Sequence, residues 1–259
     1  MDINLAGRTA VVTGGSKGIG LAIVRNLAAS GAQVISGAQS RSPEIDALTR
    51  DTQVIFAEVD LADAGGPARL VAMAGDQVDI LVNNVGVARA RPGGFLSITD
   101  DDWAVSLTLN LMAAVRATRA ALPGMLAAES GTIVMTCSVN ARLPDPAVLD
   151  YSAAKAGLAG FAKALSKEVG PRGIRVNTVS PGPVATDLWL GDDGVAAAFS
   201  QATGAKPGDI QSQAAAESVT GRFSQPAEVA DLVLYLASDL AANITGADFT
   251  IDGGLVPTL

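Results

Sequence analysis

Thr9-Ala10-Val11-Val12-Thr13-Gly14-Gly15-Ser16-Lys17-Gly18-Ile19-Gly20 runs from a short β-branched stretch through a glycine-rich turn into a helical pattern. The apolar run predicts a buried strand, and residues 20 to 29 predict a helix. Glycines between the two let backbone N–H groups approach a pyrophosphate at a helix N-terminus, where the dipole favours negative charge. The spacing is G-x-x-x-G-x-G rather than G-x-G-x-x-G, and no G-K-[S/T] closes it as in a P-loop. A plain glycine turn would carry the same residues, so the decision rests on the rest of the chain.

Six further β-rich runs follow, at 33–36, 54–59, 80–83, 132–138, 174–179 and 247–251, with helical patterns at 101–128, 150–169 and 226–236. Seven strands alternating with helices predict an α/β, Rossmann-like, doubly wound parallel sheet with helices on both faces. Near-continuous Val and Ile content is what strands buried on both faces require. Gly31 and Gly170 are expected to end helices, and Gly-Gly-Pro at 65–67 and Pro-Gly-Gly at 92–94 to mark loops. Residues 183 to 223, rich in Ala, Gly, Gln and Asp, break the compact rhythm and predict a substrate lid within one domain spanning 1–259.

Composition narrows the function. The chain has 259 residues, 49% of them hydrophobic and 4% aromatic, a net charge of −8 and a pI near 4.5. Such an acidic chain offers no electrostatic attraction to nucleic acid or an anionic membrane. With no histidine and one cysteine, Cys137, a Cys/His metal site, an intramolecular disulfide and a Ser-His-Asp hydrolase are all disfavoured. Cys137 itself reads as a small apolar core residue. The start Met1-Asp2-Ile3-Asn4 lacks the pattern of a signal peptide, and no run of about 18 apolar residues appears. The protein is expected to be soluble and cytoplasmic, with no metal.

Polar residues cluster at strand ends, where an open α/β sheet binds ligands. Asp60 follows the third strand and Asn83-Asn84-Val85-Gly86 ends the fourth. Where an acidic residue would bind the ribose hydroxyls of NAD, the second strand instead ends Ser36-Gly37-Ala38-Gln39-Ser40-Arg41. Lys17, Ser40 and Arg41 are placed to surround a 2′-phosphate, which favours NADP(H) over NAD(H). The alternative is that both cations are ordinary solvated charges and Gln39 meets an NAD ribose through its amide.

Tyr151-Ser152-Ala153-Ala154-Lys155 lies on a predicted helix, so Tyr151 and Lys155 share one face. An ammonium group beside a phenol favours the phenolate, which otherwise forms near pH 10. Ser138, at the end of the fifth predicted strand, and Asn110, inside the long helix, complete a tetrad.

In this order the motifs resemble the short-chain dehydrogenase/reductase family, in its single-domain form, over nearly the whole chain. They are T-G-G-S-K-G-I-G at 13–20, Asp60, N-N-V-G at 83–86, Asn110, Ser138, Y-S-A-A-K at 151–155, S-P-G-P-V-A-T at 180–186 and Ile251-Asp252-Gly253-Gly254. The resemblance implies that Tyr151 exchanges a proton with a substrate oxygen that Ser138 polarises. Lys155 would lower the phenol pKa and bind the nicotinamide ribose, and Asn110 would interrupt its helix and hold a relay water. Gly14, Ser16, Gly18, Ile19, Gly20, Asp60, Leu61, Asn83, Val85 and Gly86 would contact the cofactor. Pro181, Gly182, Val184 and Thr186 would line its nicotinamide side.

Val85, where the family commonly has alanine, adds bulk but removes no polar contact. Arg172 matches a position that meets acidic carrier proteins in the family's fatty-acid reductases, but Leu126-Ala127-Ala128-Glu129-Ser130 offers no partner cation. Carrier docking is therefore not expected. Arg89, Arg91, Asn140, Arg142 and Trp189 are placed near the substrate mouth, with Asn140 and Trp189 as substrate contacts.

The sequence thus predicts an NADP-preferring oxidoreductase interconverting a ketone and a secondary alcohol, acting on a partly apolar small molecule beneath Leu188, Trp189, Leu190 and Phe199. An NAD-dependent alcohol dehydrogenase is the alternative within the family, and a catalytically silent cofactor-binding scaffold or redox sensor the alternative outside it. The chain ends five residues after Gly254, too few for the C-terminal domain of an extended epimerase or dehydratase. The resemblance also implies a homo-oligomer, usually a tetramer, joined through helices 101–128 and 150–169.

Overall fold

The computed structural model describes residues 3–75, 77–192 and 194–258. Met1 and Asp2 of the N-terminal reading, and Asp193 of the expected lid, lie outside the described residues. The order of elements is β1 (Thr9–Thr13), α1 (Gly18–Ala29), β2 (Gln33–Ala38), α2 (Pro43–Asp51), β3 (Val54–Glu58), α3 (Gly66–Ala72), β4 (Ile80–Asn83) and α4 (Asp100–Leu107). A π turn (Thr108–Met112) leads to α5 (Ala113–Ala128), β5 (Gly131–Thr136), α6 (Leu149–Val169) and β6 (Ile174–Pro181). Then come α7 (Asp187–Leu190), α8 (Val195–Thr203), α9 (Pro207–Ala216), α10 (Pro226–Ala237) and β7 (Asp248–Ile251).

The seven strands form one parallel sheet in the order β3-β2-β1-β4-β5-β6-β7, which reverses direction between β1 and β4. Each strand alternates between two cores because both faces are covered. Ala10, Val12, Val34 and Val82 pack under α1, α2 and α10, through Ile23, Ile45 and Val233 among others. Val11, Ile35, Leu81 and Ile133 pack under α3, α5 and α6, through Leu70, Ala117 and Leu158.

Two helices differ from expectation. Gly66 and Pro67 open α3 instead of sitting in a loop. Proline is tolerated in a first turn, where its missing N–H has no partner to lose. Ser42, whose Oγ accepts from Ile45 N at 3.2 Å, starts α2, with Pro43 behind it. Gly31 follows α1 with φ +94°, and Gly170 ends α6, both as expected, although Gly170 is right-handed and opens a 3-10 turn. The left-handed residue there is Gly173, φ +75°. Among the described residues no helix is long and apolar enough to cross a membrane.

Candidate active site

The carboxyl ends of β1, β4, β5 and β6 open on one cavity of about 620 Å³, roofed by α7, α8 and α9. That size lies within the usual range for small-molecule sites. Of the residues expected to contact cofactor or substrate, all but Arg41, Asn83 and the exposed Leu190 border it.

The glycine turn forms its floor. Gly14 has φ +74°, and a Cβ there would lie 2.9 Å from Val85 Cα. A Cβ on Gly20 would run into the Gly14 carbonyl oxygen. The turn is fastened across the switch point: Asn84 N and Val85 N donate to Thr13 Oγ1 at 2.9 and 3.2 Å. Asn84 Nδ2 donates to the carbonyls of Thr13 and Gly14, both at 3.2 Å. Its Oδ1 accepts from Thr136 Oγ1 at 3.3 Å, and the Thr136 carbonyl accepts from Lys155 Nζ at 2.7 Å. A polar chain therefore joins the glycine turn to Lys155.

Asn84 is the residue that sequence reasoning passed over in favour of its neighbour. Asn83 ends β4 with its side chain on the α5 face, where it is buried and donates to Thr118 Oγ1 at 3.0 Å. Strand alternation was the available signal: if Leu81 faces α5, so does Asn83.

The expected phosphate pocket is only partly assembled. Lys17 and Ser40 border the cavity, but Arg41 does not. Its Nε donates to Asp46 at 2.6 Å and its guanidinium lies 5.0 Å from the Phe56 ring centre. A nearby carboxylate and an aromatic face satisfy the cation more cheaply than open solvent does. Gln39 Nε2 donates to Asp60 Oδ1 at 2.9 Å, bridging the ends of β2 and β3.

Ser138, Tyr151 and Lys155 meet in the cavity wall, and Asn110 stands behind it. The π turn puts Asn110 Nδ2 against the carbonyls of Val87 at 2.8 Å and Ser106 at 3.0 Å, while Oδ1 accepts from Val87 N at 3.0 Å. Its amide thus joins the backbone of α4 to that of the loop after β4. Lys155 Nζ lies 5.7 Å from the Tyr151 ring centre. Burial pushes the Tyr151 phenol up to about 12, with the Ser138 hydroxyl drawing it back. Burial pushes Lys155 down to about 8. In the protein by itself desolvation sets the direction for both groups, and the Lys155 ammonium donates to the Thr136 carbonyl.

Around the mouth, Arg89, Asn140 and Trp189 border the cavity, and Trp189 packs edge-on against Phe223 with centres 5.3 Å apart. Arg142 instead pairs with Asp248 at 3.2 Å, and Arg91 is drawn inward between Asp102 and Asp150. Cys137 is buried, its Sγ 3.2 Å from the Lys155 carbonyl, and burial raises its pKa. Among the described residues no group of carboxylates, cysteine or histidine is arranged for a metal.

A family profile described as enoyl-(acyl carrier protein) reductase matches residues 14–256. The 3-oxoacyl-[acyl-carrier-protein] reductase FabG of Chlamydia pneumoniae is 34% identical over 98% of this chain and 99% of its own. Oxidoreductase UcpA of Escherichia coli is 34% identical over 96% and 95%. Among solved structures, L-sorbose reductase from Gluconobacter frateurii, complexed with NADPH and L-sorbose, superposes with a TM-score of 0.90 at 32% identity, covering all of both chains. The chain belongs to the short-chain dehydrogenase/reductase family. It is accordingly an NAD(P)-dependent oxidoreductase acting on carbonyl and alcohol groups.

Proposed function

We propose that this protein is an NADP-preferring oxidoreductase that interconverts a ketone and a secondary alcohol, with Tyr151 transferring the proton. The observation that carries this reading is the convergence of the Ser138 and Tyr151 hydroxyls on a single cavity whose far end is the glycine turn. The residues fit a dinucleotide: Gly14 and Gly20 let the turn pack tightly against Val85 and against itself, which brings its backbone to the N-terminus of α1, where a pyrophosphate would lie. Lys17 and Ser40 would face a 2′-phosphate, Asp60 the adenine, Lys155 the nicotinamide ribose, and Pro181, Gly182, Val184 and Thr186 the carboxamide side. The bound cofactor supplies or accepts the hydride.

The chain's own groups hold and move the proton. Ser138 orients the substrate oxygen, and Tyr151, protonated across the neutral range, donates to it during reduction. Lys155, fixed on Thr136, holds positive charge behind the phenol. Asn110 and the π turn keep the β4 loop against this centre and would anchor a water leading from Lys155. Leu188, Trp189 and Phe199 in the segment 183–223 form a lid and favour a partly apolar substrate. A protein-bound acyl substrate is disfavoured, since Arg172 is taken by Glu129 at 3.6 Å and by the Leu126 carbonyl at 3.1 Å.

The withdrawal of Arg41 onto Asp46 favours NAD as the second reading, with Gln39 at the ribose. A paired titration decides between them. NADPH and NADH are added separately while fluorescence from Trp103 and Trp189 is followed. Tighter NADPH binding supports the proposal and directs a ketone screen with NADPH. Equal or tighter NADH binding overturns the phosphate pocket and favours alcohol oxidation with NAD, and binding of neither overturns the oxidoreductase reading.

A further inference from the structure

We infer that Arg91, gripping Asp150 and Asp102, is a positioning residue that fixes the first turn of α6 and so sets where Tyr151 stands in the cavity. Arg91 Nε and Nη2 donate to the two carboxylate oxygens of Asp150 at 3.2 and 2.6 Å, and Nη1 lies 2.9 Å from Asp102 Oδ1. Its own N–H donates to the Ala147 carbonyl at 2.7 Å. The Arg91 side chain is 11% exposed and that of Asp150 3%. None of the three side chains borders the cavity.

Each segment joined by this guanidinium supplies part of the site. Arg91 lies on the loop after β4, which carries Val85 and Gly86 and is held by Asn110 at Val87. Asp102 lies in the first turn of α4, where it completes a capping box with Thr99, eight residues before Asn110. Asp150 directly precedes Tyr151. Val148, at the N-cap of α6, makes no side-chain cap bond, so the start of the helix is tied to its neighbours through first-turn side chains such as Asp150. On the other side of Tyr151, Ser152 Oγ donates to the Val148 carbonyl at 3.0 Å and accepts from Asp145 N at 3.3 Å. Tyr151 is therefore flanked by two anchors, and the charged one reaches the walls that hold cofactor.

A fork of two parallel bonds fixes direction as well as distance, which a single ammonium cannot do. Replacing both members of a buried pair by apolar residues often leaves stability intact, whereas removing one strands a charge. Arg91→Met/Asp150→Leu is therefore the informative variant, with Arg91→Lys as a second that keeps the charge but loses the fork.

The inference rests on the reading of Tyr151 as proton donor, and a spectroscopic measurement keeps the two separable. The chain has two tyrosines, Tyr151 and Tyr235, so protein labelled with 3-fluorotyrosine gives two fluorine resonances, assigned with Tyr151→Phe. In both variants the Tyr151 resonance is expected to shift or split while that of Tyr235 stays, with the thermal midpoint near wild type. On any ketone that the wild type reduces, kcat should fall about 10- to 100-fold with cofactor affinity unchanged. An unmoved Tyr151 resonance, an unchanged kcat, or a joint loss of both resonances and the thermal midpoint would overturn the clamp. If the wild type reduces no ketone, the proton-donor reading fails, and the fluorine spectra still decide the clamp.

Discussion

Tyr151 and Lys155 are governed by desolvation before they are governed by each other. A phenol held near 12 keeps its proton through the neutral range, so ketone reduction should be nearly flat between about pH 6 and 9, whereas alcohol oxidation, which needs the phenolate, should rise with pH. Rate profiles in both directions check this, and a reduction rate falling steeply below about pH 8 would contradict it. Tyr151→Phe should lower kcat by about 10²- to 10⁴-fold and leave cofactor binding within about twofold.

Stability carries a second signature. Below about pH 8 folded and unfolded chains both hold the Lys155 proton, so its burial penalty is constant. From about 8 towards 10.5 the unfolded chain keeps that proton while the folded chain releases it, and stability rises. Above about 10 Tyr151 reverses the trend, since the unfolded chain then loses its phenolic proton first. Urea midpoints at about pH 7 and about pH 9.5 should therefore rise for wild type relative to Lys155→Met, and parallel midpoints would contradict the assignment. The placement of Tyr151, Lys155 and Ser138 in one wall was legible in the sequence because an i, i+4 spacing and a strand-end position are local facts. Their protonation was not, because it depends on how fully residues distant in sequence exclude water.

Among the elements, the strands and long helices were legible because Val and Ile runs and helical periodicity are properties of short windows. Helices α2 and α3 were not, since each opens with a proline in the first turn and reads locally as a turn. Strand alternation, applied to β4, separates Asn83 from Asn84 and makes a prediction of its own. Asn84→Ala removes contacts that tie the turn after β1 to the ends of β4 and β5. It should cost about 1–3 kcal/mol in urea unfolding and weaken both nicotinamide cofactors alike, since no part of the 2′-phosphate pocket is touched. Loss of NADPH binding alone would show that Asn84 acts elsewhere. Arg41 shows the same limit as Lys155: its proximity to Ser40 was visible, but the competing pull of Asp46 and Phe56 arises only in the folded chain.

At the scale of the whole molecule, α6 turns Ala153, Ala156, Gly157 and Gly160 outward, while Ala154 and Leu158 face the core. Val105 and Leu107 on α4 are 38% and 37% exposed. Small residues on an exposed helix permit close approach of a second helix, as the oligomer that the family resemblance implies would require. Sedimentation should give a tetramer and Ala156→Glu a smaller species, while a monomeric wild type would remove this assembly. The lid segment resists reading from sequence for a different reason: its helices are short and one-sided, and their place over the cavity follows from where β6 and α10 hold their ends. The most direct test of the proposed chemistry uses NADPH deuterated at the transferable position of the nicotinamide and a prochiral apolar ketone. Wild type is expected to give alcohol with deuterium on the carbinol carbon, in one configuration, and Tyr151→Phe to give almost none. Absence of transfer by wild type across a panel of ketones, or equal transfer by the variant, would contradict a Tyr151-dependent carbonyl reduction.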